Sequence, residues 1–139
     1  MRHKQVGIAV IGSGRIGTLR ATMAGAHPAV DFLAVADQDP ARAKELAEKT
    51  GADLHSGDNL ELIAHPDVDA VIVSTSEPEH TEPVIAALER GKPVLVEKPI
   101  ALRLEDADRM INTAERCGTE LRVGYSMRFN RRYLMAKEQ

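Results

Sequence analysis

Four stretches of this 139-residue sequence hold residue types able to act together on a ligand: Gly12-Ser13-Gly14-Arg15-Ile16-Gly17, Asp37, Ser74-Thr75-Ser76 and Glu97-Lys98-Pro99. In the Gly-x-Gly-x-x-Gly spacing, Gly12 permits a tight turn, Gly14 lets a pyrophosphate approach the backbone, and Gly17 lets a helix pack close to a strand. The phosphates would rest at the helix N-terminus, where unpaired N–H groups and the positive end of the helix dipole favour an anion. Arg15 either lies against them or points to solvent. Twenty residues beyond Gly17, Asp37 offers a carboxylate that accepts hydrogen bonds from adenosine ribose hydroxyls and repels the 2′-phosphate of NADP, so NAD is the expected cofactor. Arg42 is the one nearby cation within reach of such a phosphate. The glycine spacing alone also fits any glycine-rich turn of an α/β protein, and its weight comes from the elements around it.

Those elements alternate. Val6 to Ile11 is an apolar run too short for a helix, and Ile16, Leu19 and Met23 then recur at helical spacing. Ala29 to Ala36 reads as a second strand ending at Asp37. Asp39-Pro40 caps and starts a helix with Leu46 and Ala47 on its buried face and Gly51 beyond its end. Ala52-Asp53-Leu54 is a short third strand, and Leu60, Ile63 and Ala64 mark a short helix stopped before Pro66. Ala70 to Val73 is a buried strand; a polar loop from Ser74 to His80 opens a helix through Val84, Ala87 and Leu88 to Gly91. Val94 to Val96 is a fifth strand, followed by a helix with Ala107, Met110, Ile111 and Ala114 on one face, Gly118 at its end, and a sixth strand at Leu121 to Val123. Six strands with helices between them predict a Rossmann fold: a doubly wound α/β parallel sheet in the order 3-2-1-4-5-6, with helices on both faces. In that topology Ser74, Thr75 and Ser76 face the ligand crevice between the first and fourth strands, or else cap the next helix.

Composition narrows the classes. The net charge of −3 and the mixing of both signs along the chain disfavour nucleic-acid and anionic-membrane partners. A single cysteine, Cys117, allows no internal disulfide and no cysteine-based metal site, which fits a reducing cytoplasm. Apart from His80, the histidines His3, His27, His55 and His65 are scattered with no ligand spacing, so no metal is expected. The basic opening Met1 to Gln5 leads into a glycine-interrupted run without a convincing cleavage site, and no stretch approaches a membrane span.

Taken together, the glycine fingerprint, Asp37, the Ser/Thr loop with His80, Glu97-Lys98-Pro99 and Gly124-Tyr125-Ser126-Met127-Arg128-Phe129 resemble the N-terminal domain of the Gfo/Idh/MocA oxidoreductases over essentially the whole chain. The resemblance implies a dinucleotide-binding domain over residues 1–124. Residues 125–139 then begin the connection to a second, mostly β domain that carries an Asp and a His beside the reacting carbon. It further implies that Lys98 lies next to the nicotinamide ring, hydrogen-bonds the substrate hydroxyl and assists proton transfer. Glu97 and Pro99 shape the turn holding it, and His80 and Arg128 lie near the cofactor; the other role open to His80 is a helix-start histidine satisfied by local backbone. The implied activity is hydride transfer between a sugar or polyol CH–OH group and nicotinamide, in a homo-oligomer, with negligible turnover when the second domain is absent. Two readings compete: a non-catalytic dinucleotide-binding sensor or scaffold, and an S-adenosylmethionine-dependent methyltransferase. The methyltransferase shares the glycine turn and the acid, but lacks the Glu-Lys-Pro and Arg-Phe segments. Glu77 stands where many family members have Asn, and Arg103 stands where a Thr often caps the fifth helix. The apolar side chains between Tyr125 and Met135 are expected to drive self-association or to fray, unless Asn130 to Gln139 folds back as an amphipathic helix.

Overall fold

The computed structural model describes residues 5–138. Strands β1 (Val6–Ile11), β2 (Val30–Ala36), β3 (Leu54–Ser56), β4 (Ala70–Val73), β5 (Val94–Glu97) and β6 (Leu121–Gly124) form one parallel sheet in the order β3-β2-β1-β4-β5-β6. The helices between and after them are α1 (Arg15–Ala26), α2 (Pro40–Thr50), α3 (Asn59–Ala64), α4 (Thr81–Glu89), α5 (Leu104–Cys117) and α6 (Arg131–Lys137). Because side chains alternate across a strand, the sheet carries two cores. Val10, Leu33 and Val35 pack with Ala21, Ala24, Leu46 and Ala47 from α1 and α2. Ala9, Ile11, Val71, Val73 and Val96 pack on the other face with Leu62, Ile63, Val84, Leu88 and Met110 from α3, α4 and α5. The expected Rossmann topology is the one observed.

Several elements depart in detail from the sequence reading. The large residues of α1 point outward: Ile16, Leu19 and Met23 are 41%, 50% and 58% exposed, while Gly17, Ala21 and Ala24 are buried. The cause is Gly17, where a Cβ atom would sit 1.8 Å from the Gly12 carbonyl oxygen. A helix held that close to the sheet can turn only small residues inward. In α5, Met110 and Thr113 are buried but Ile111 is 44% exposed. In α3, Leu62 and Ile63 are buried whereas Leu60 points out. The third strand starts two residues later than expected: the Asp53 N–H donates to Leu33 O at 2.8 Å, and its carboxylate accepts from Leu33 N at 2.9 Å, so Asp53 brackets the ladder that Leu54 begins. The segment after β6 forms a 3-10 turn (Ser126–Phe129) and then α6, which buries none of its residues. Self-covering by an amphipathic terminal helix is therefore not seen in the described residues.

Local chemistry explains the boundaries. Asp39 and Asp58 cap α2 and α3 through their carboxylates, and Asn130 caps α6. Arg103 precedes α5 without a side-chain cap. Gly51 and Gly118 close α2 and α5 in the left-handed conformation.

Candidate functional site

At the carboxyl ends of the strands lies a cleft of about 600 Å³. Its floor is the turn between β1 and α1. Gly12 has φ +99°, open only to glycine at low strain, and a Cβ there would lie 2.6 Å from Ser74 O, so the turn is pressed against the end of β4. At Gly14, by contrast, a Cβ would meet nothing nearer than the Arg42 guanidinium at 3.9 Å. This bare face lies beside the N-terminus of α1, where unpaired N–H groups and the helix dipole favour an anion.

Asp37 follows β2 directly and is fixed before any ligand arrives. The Ser13 N–H and hydroxyl both donate to its Oδ2, at 3.0 and 2.5 Å, and the Asp39 N–H donates to Oδ1 at 2.9 Å. Burial alone would raise its pKa; the Ser13 and Asp39 hydrogen bonds, with the Arg42 charge, outweigh it and hold the carboxyl below its ordinary value. Arg42 Nε lies 3.9 Å from Oδ2. Gln38 Nε2 donates to Glu79 Oε1 at 3.1 Å, linking the loops after β2 and β4 along this rim.

Ser74 Oγ and Thr75 Oγ1 are buried without a hydrogen-bond partner, whereas Ser76 Oγ donates to Glu79 Oε2 at 3.0 Å. Ser76 occupies the N-cap position of the 3-10 turn (Glu77–Glu79) but makes no side-chain cap bond there, and none of the three side chains caps α4. An unpaired buried hydroxyl costs roughly 1–3 kcal/mol. Two adjacent ones at the paired ends of β1 and β4, where strand order reverses, fit a polar ligand seated there. His80 is buried, with Nδ1 3.0 Å from Pro99 O and Nε2 3.2 Å from Thr75 O. Both ring nitrogens face backbone, and the ring ties the loop after β4 to the loop after β5.

The far end of the cleft holds Glu97, Lys98 and Ser126. Lys98 is exposed, ahead of a cis peptide bond to Pro99, and also lines an adjoining hollow of about 260 Å³ with Tyr125, Met127 and Arg128. The Arg128 guanidinium lies 5.9 Å from the centre of the Tyr125 ring. Of the residues expected at the site, Gly12, Ser13, Gly14, Arg15, Ile16, Asp37, Ser74, Thr75, Ser76, His80, Glu97 and Lys98 share the main cleft, while Arg128 lines only the hollow. Sequence reasoning missed Leu19, Arg20, Gln38, Asn59 and Glu79. Arg20 had a signal: it lies four residues beyond Ile16, one helical turn along the same face. Among the described residues no cluster of His, Cys, Asp or Glu is arranged to hold a metal, and no helix is long and apolar enough to cross a membrane.

A glycine turn facing an acid at the end of β2, with hydroxyls at the point where strand order reverses, defines a dinucleotide-binding Rossmann domain. The chain belongs to the Gfo/Idh/MocA oxidoreductase family, whose NAD-binding Rossmann fold matches residues 6–125. It is 40% identical over 131 residues to the myo-inositol 2-dehydrogenase of Thermotoga maritima, covering 94% of this chain and 39% of that protein. To the scyllo-inositol 2-dehydrogenase (NAD(+)) of Bacillus subtilis it is 34% identical, covering 100% of this chain and 41% of the relative. The crystal structure of Lactobacillus casei scyllo-inositol dehydrogenase with bound NAD(H) and scyllo-inositol superposes with a TM-score of 0.90 at 26% identity, over 97% of this chain and 40% of that one. The chain thus spans about two fifths of the length of these relatives.

Proposed function

We propose that residues 1–124 are the cofactor domain of an NAD-dependent dehydrogenase acting on a CH–OH group of a sugar or polyol, an inositol among them, and that residues 125–139 begin the connection to a substrate domain. The observation that carries this reading is the continuity of one cleft from Asp37, past the bare Gly14 backbone and the two orphaned hydroxyls, to Lys98. Asp37 would hold the adenosine ribose, the turn at Gly12 to Gly14 the pyrophosphate, and Ser74 and Thr75 the part of the dinucleotide crossing the switch point. Bound NAD supplies the hydride acceptor. Lys98 stands where the cleft opens into the hollow lined by Tyr125 and Arg128, so its ammonium serves both compartments: it donates a hydrogen bond to a substrate hydroxyl oxygen and stabilises the negative charge that grows there as a base of the substrate domain takes the proton. His80 keeps Lys98 in place by binding the Pro99 carbonyl.

Calorimetric titration with NAD tests the binding half of the proposal, and hydride transfer from inositols by a longer form that carries a substrate domain tests the chemistry. Saturable NAD binding by the 139-residue chain together with polyol-dependent NADH formation by the longer form is expected. NAD binding in both with no turnover on any polyol would instead support a non-catalytic dinucleotide module.

A further inference from the structure

Arg20 and Glu97 form an ion pair across the cleft wall, and nothing in the cofactor fingerprint calls for it. Arg20 projects from α1, one turn beyond Ile16, and its Nε donates to Glu97 Oε1 at 2.5 Å. Both side chains are largely withdrawn from water, at 20% and 13% exposure. The carboxylate is also seated from behind. Glu97 pairs in register with Gly124 of β6, and a Cβ at Gly124 would lie 3.0 Å from Glu97 Oε2, so the glycine leaves room for the carboxylate and its guanidinium partner. This fixed pair of opposite charges lines the cleft next to Lys98, at the end opposite Asp37.

A dinucleotide anchored by its adenosine ribose at Asp37 and its pyrophosphate at Gly14 directs its nicotinamide half toward that end. The nicotinamide ring is cationic when oxidised and neutral when reduced, so fixed charge beside it favours one form. We propose that the Arg20–Glu97 pair sets the preference of the site between oxidised and reduced dinucleotide: Glu97 favours the oxidised ring, and Arg20 offsets that pull. The proposal rests on the NAD reading above. Arg20 is a positioning residue in this scheme, acting through the Glu97 carboxylate it orients and neutralises.

The test is the ratio of Kd values for NAD+ and NADH, measured on the folded 139-residue chain at one pH and ionic strength, with ADP-ribose as a probe lacking the nicotinamide ring. Arg20→Met leaves Glu97 uncompensated and is expected to shift the ratio toward NAD+ by about threefold to sixfold, the effect of one unit charge about 4–6 Å away screened nearly as in water, as in an open cleft. Glu97→Gln leaves Arg20 uncompensated and is expected to shift it about as far toward NADH. Arg20→Lys keeps the charge and is expected to stay within about twofold of the unmodified ratio. Opposite shifts from the two halves of one pair distinguish charge balance from a mere fastening of α1 to β5. Equal weakening of NAD+, NADH and ADP-ribose, shifts in the same direction, or an unmoved ratio would each overturn the inference while leaving the NAD reading intact. If the unmodified chain binds none of the three probes, both fall.

Discussion

Asp37 receives three hydrogen bonds from Ser13 and Asp39, so the carboxylate proposed to hold the ribose is already fixed in place without a cofactor. NAD is expected to bind more tightly than NADP, and Asp37→Ala is expected to narrow the gap; calorimetry with both cofactors reads it, and tighter NADP binding by the unmodified chain would remove the assignment. Arg42, 3.9 Å from Asp37, is the cation a 2′-phosphate would meet once the carboxylate is gone. The folded pKa of Asp37 is depressed, so its contribution to stability is fully present above the unfolded value of 3.8 and is lost as pH falls through the folded value. Chemical denaturation between pH 3 and 7 should therefore show Asp37→Asn less stable than the parent at neutral pH, with the difference shrinking on the acid side. In the proposed reading Lys98 belongs to the reacting end. In a chain that carries a substrate domain, Lys98→Ala should lower kcat by about a hundredfold or more while changing the Kd for NAD little, as removal of a group that stabilises charge only in the transition state does. Lost NAD affinity with unchanged kcat would make it a binding residue. The place of Asp37 and Lys98 in the cleft was legible because short motifs announce them. The Arg20–Glu97 contact was not, since it joins residues 77 positions apart that only the completed sheet brings together.

Among the elements, strand order and helix placement followed from the alternation of apolar runs and helical periods. The faces of individual helices did not. Ile16, Leu19 and Met23 have the right spacing for a buried stripe, yet backbone contact at Gly17 overrides hydrophobicity and turns them outward. Gly17→Ala is accordingly expected to cost at least about 3 kcal/mol, the upper range for overpacking, because its Cβ would fall 1.8 Å from the backbone oxygen of Gly12 and not against a yielding side chain. Thermal denaturation measures the loss, and a melting temperature equal to the parent's would show that α1 can move away from β1. At the other extreme is the uncapped start of α5, where Arg103 leaves the first-turn N–H groups without a side-chain acceptor. Arg103→Ser should raise stability by about 0.5–1 kcal/mol. The exposed contact it removes, Arg103 to Glu105 at 3.5 Å, offsets little of that gain.

For the molecule as a whole, the sheet, both cores and the cofactor cleft are built almost entirely from residues up to Gly124, and residues 125–138 contribute nothing to either core. Phe129 is 80% exposed and Leu134 45%, with Tyr125, Met127, Tyr133 and Met135 exposed beside them, so apolar side chains crowd one short stretch next to the hollow at Lys98. Monomers in solution rarely leave contiguous apolar patches beyond a few hundred Å² uncovered. For the 139-residue chain in isolation, the densest apolar surface at hand to cover this stretch is the same stretch on another copy. The chain is therefore expected to self-associate through residues 125–135, with the apparent mass in light scattering rising across a concentration series. Phe129→Ser combined with Leu134→Ser should return it to the monomer mass without moving the melting temperature by more than about 2 °C, since neither side chain belongs to the core. NAD affinity should also be unchanged, because neither residue lines the cleft. A monodisperse monomer at every concentration in the unmodified chain would overturn this expectation. Self-association that survives the double substitution would place the contact elsewhere, and the outward apolar face of α1 at Ile16, Leu19 and Met23 is then the surface to change next.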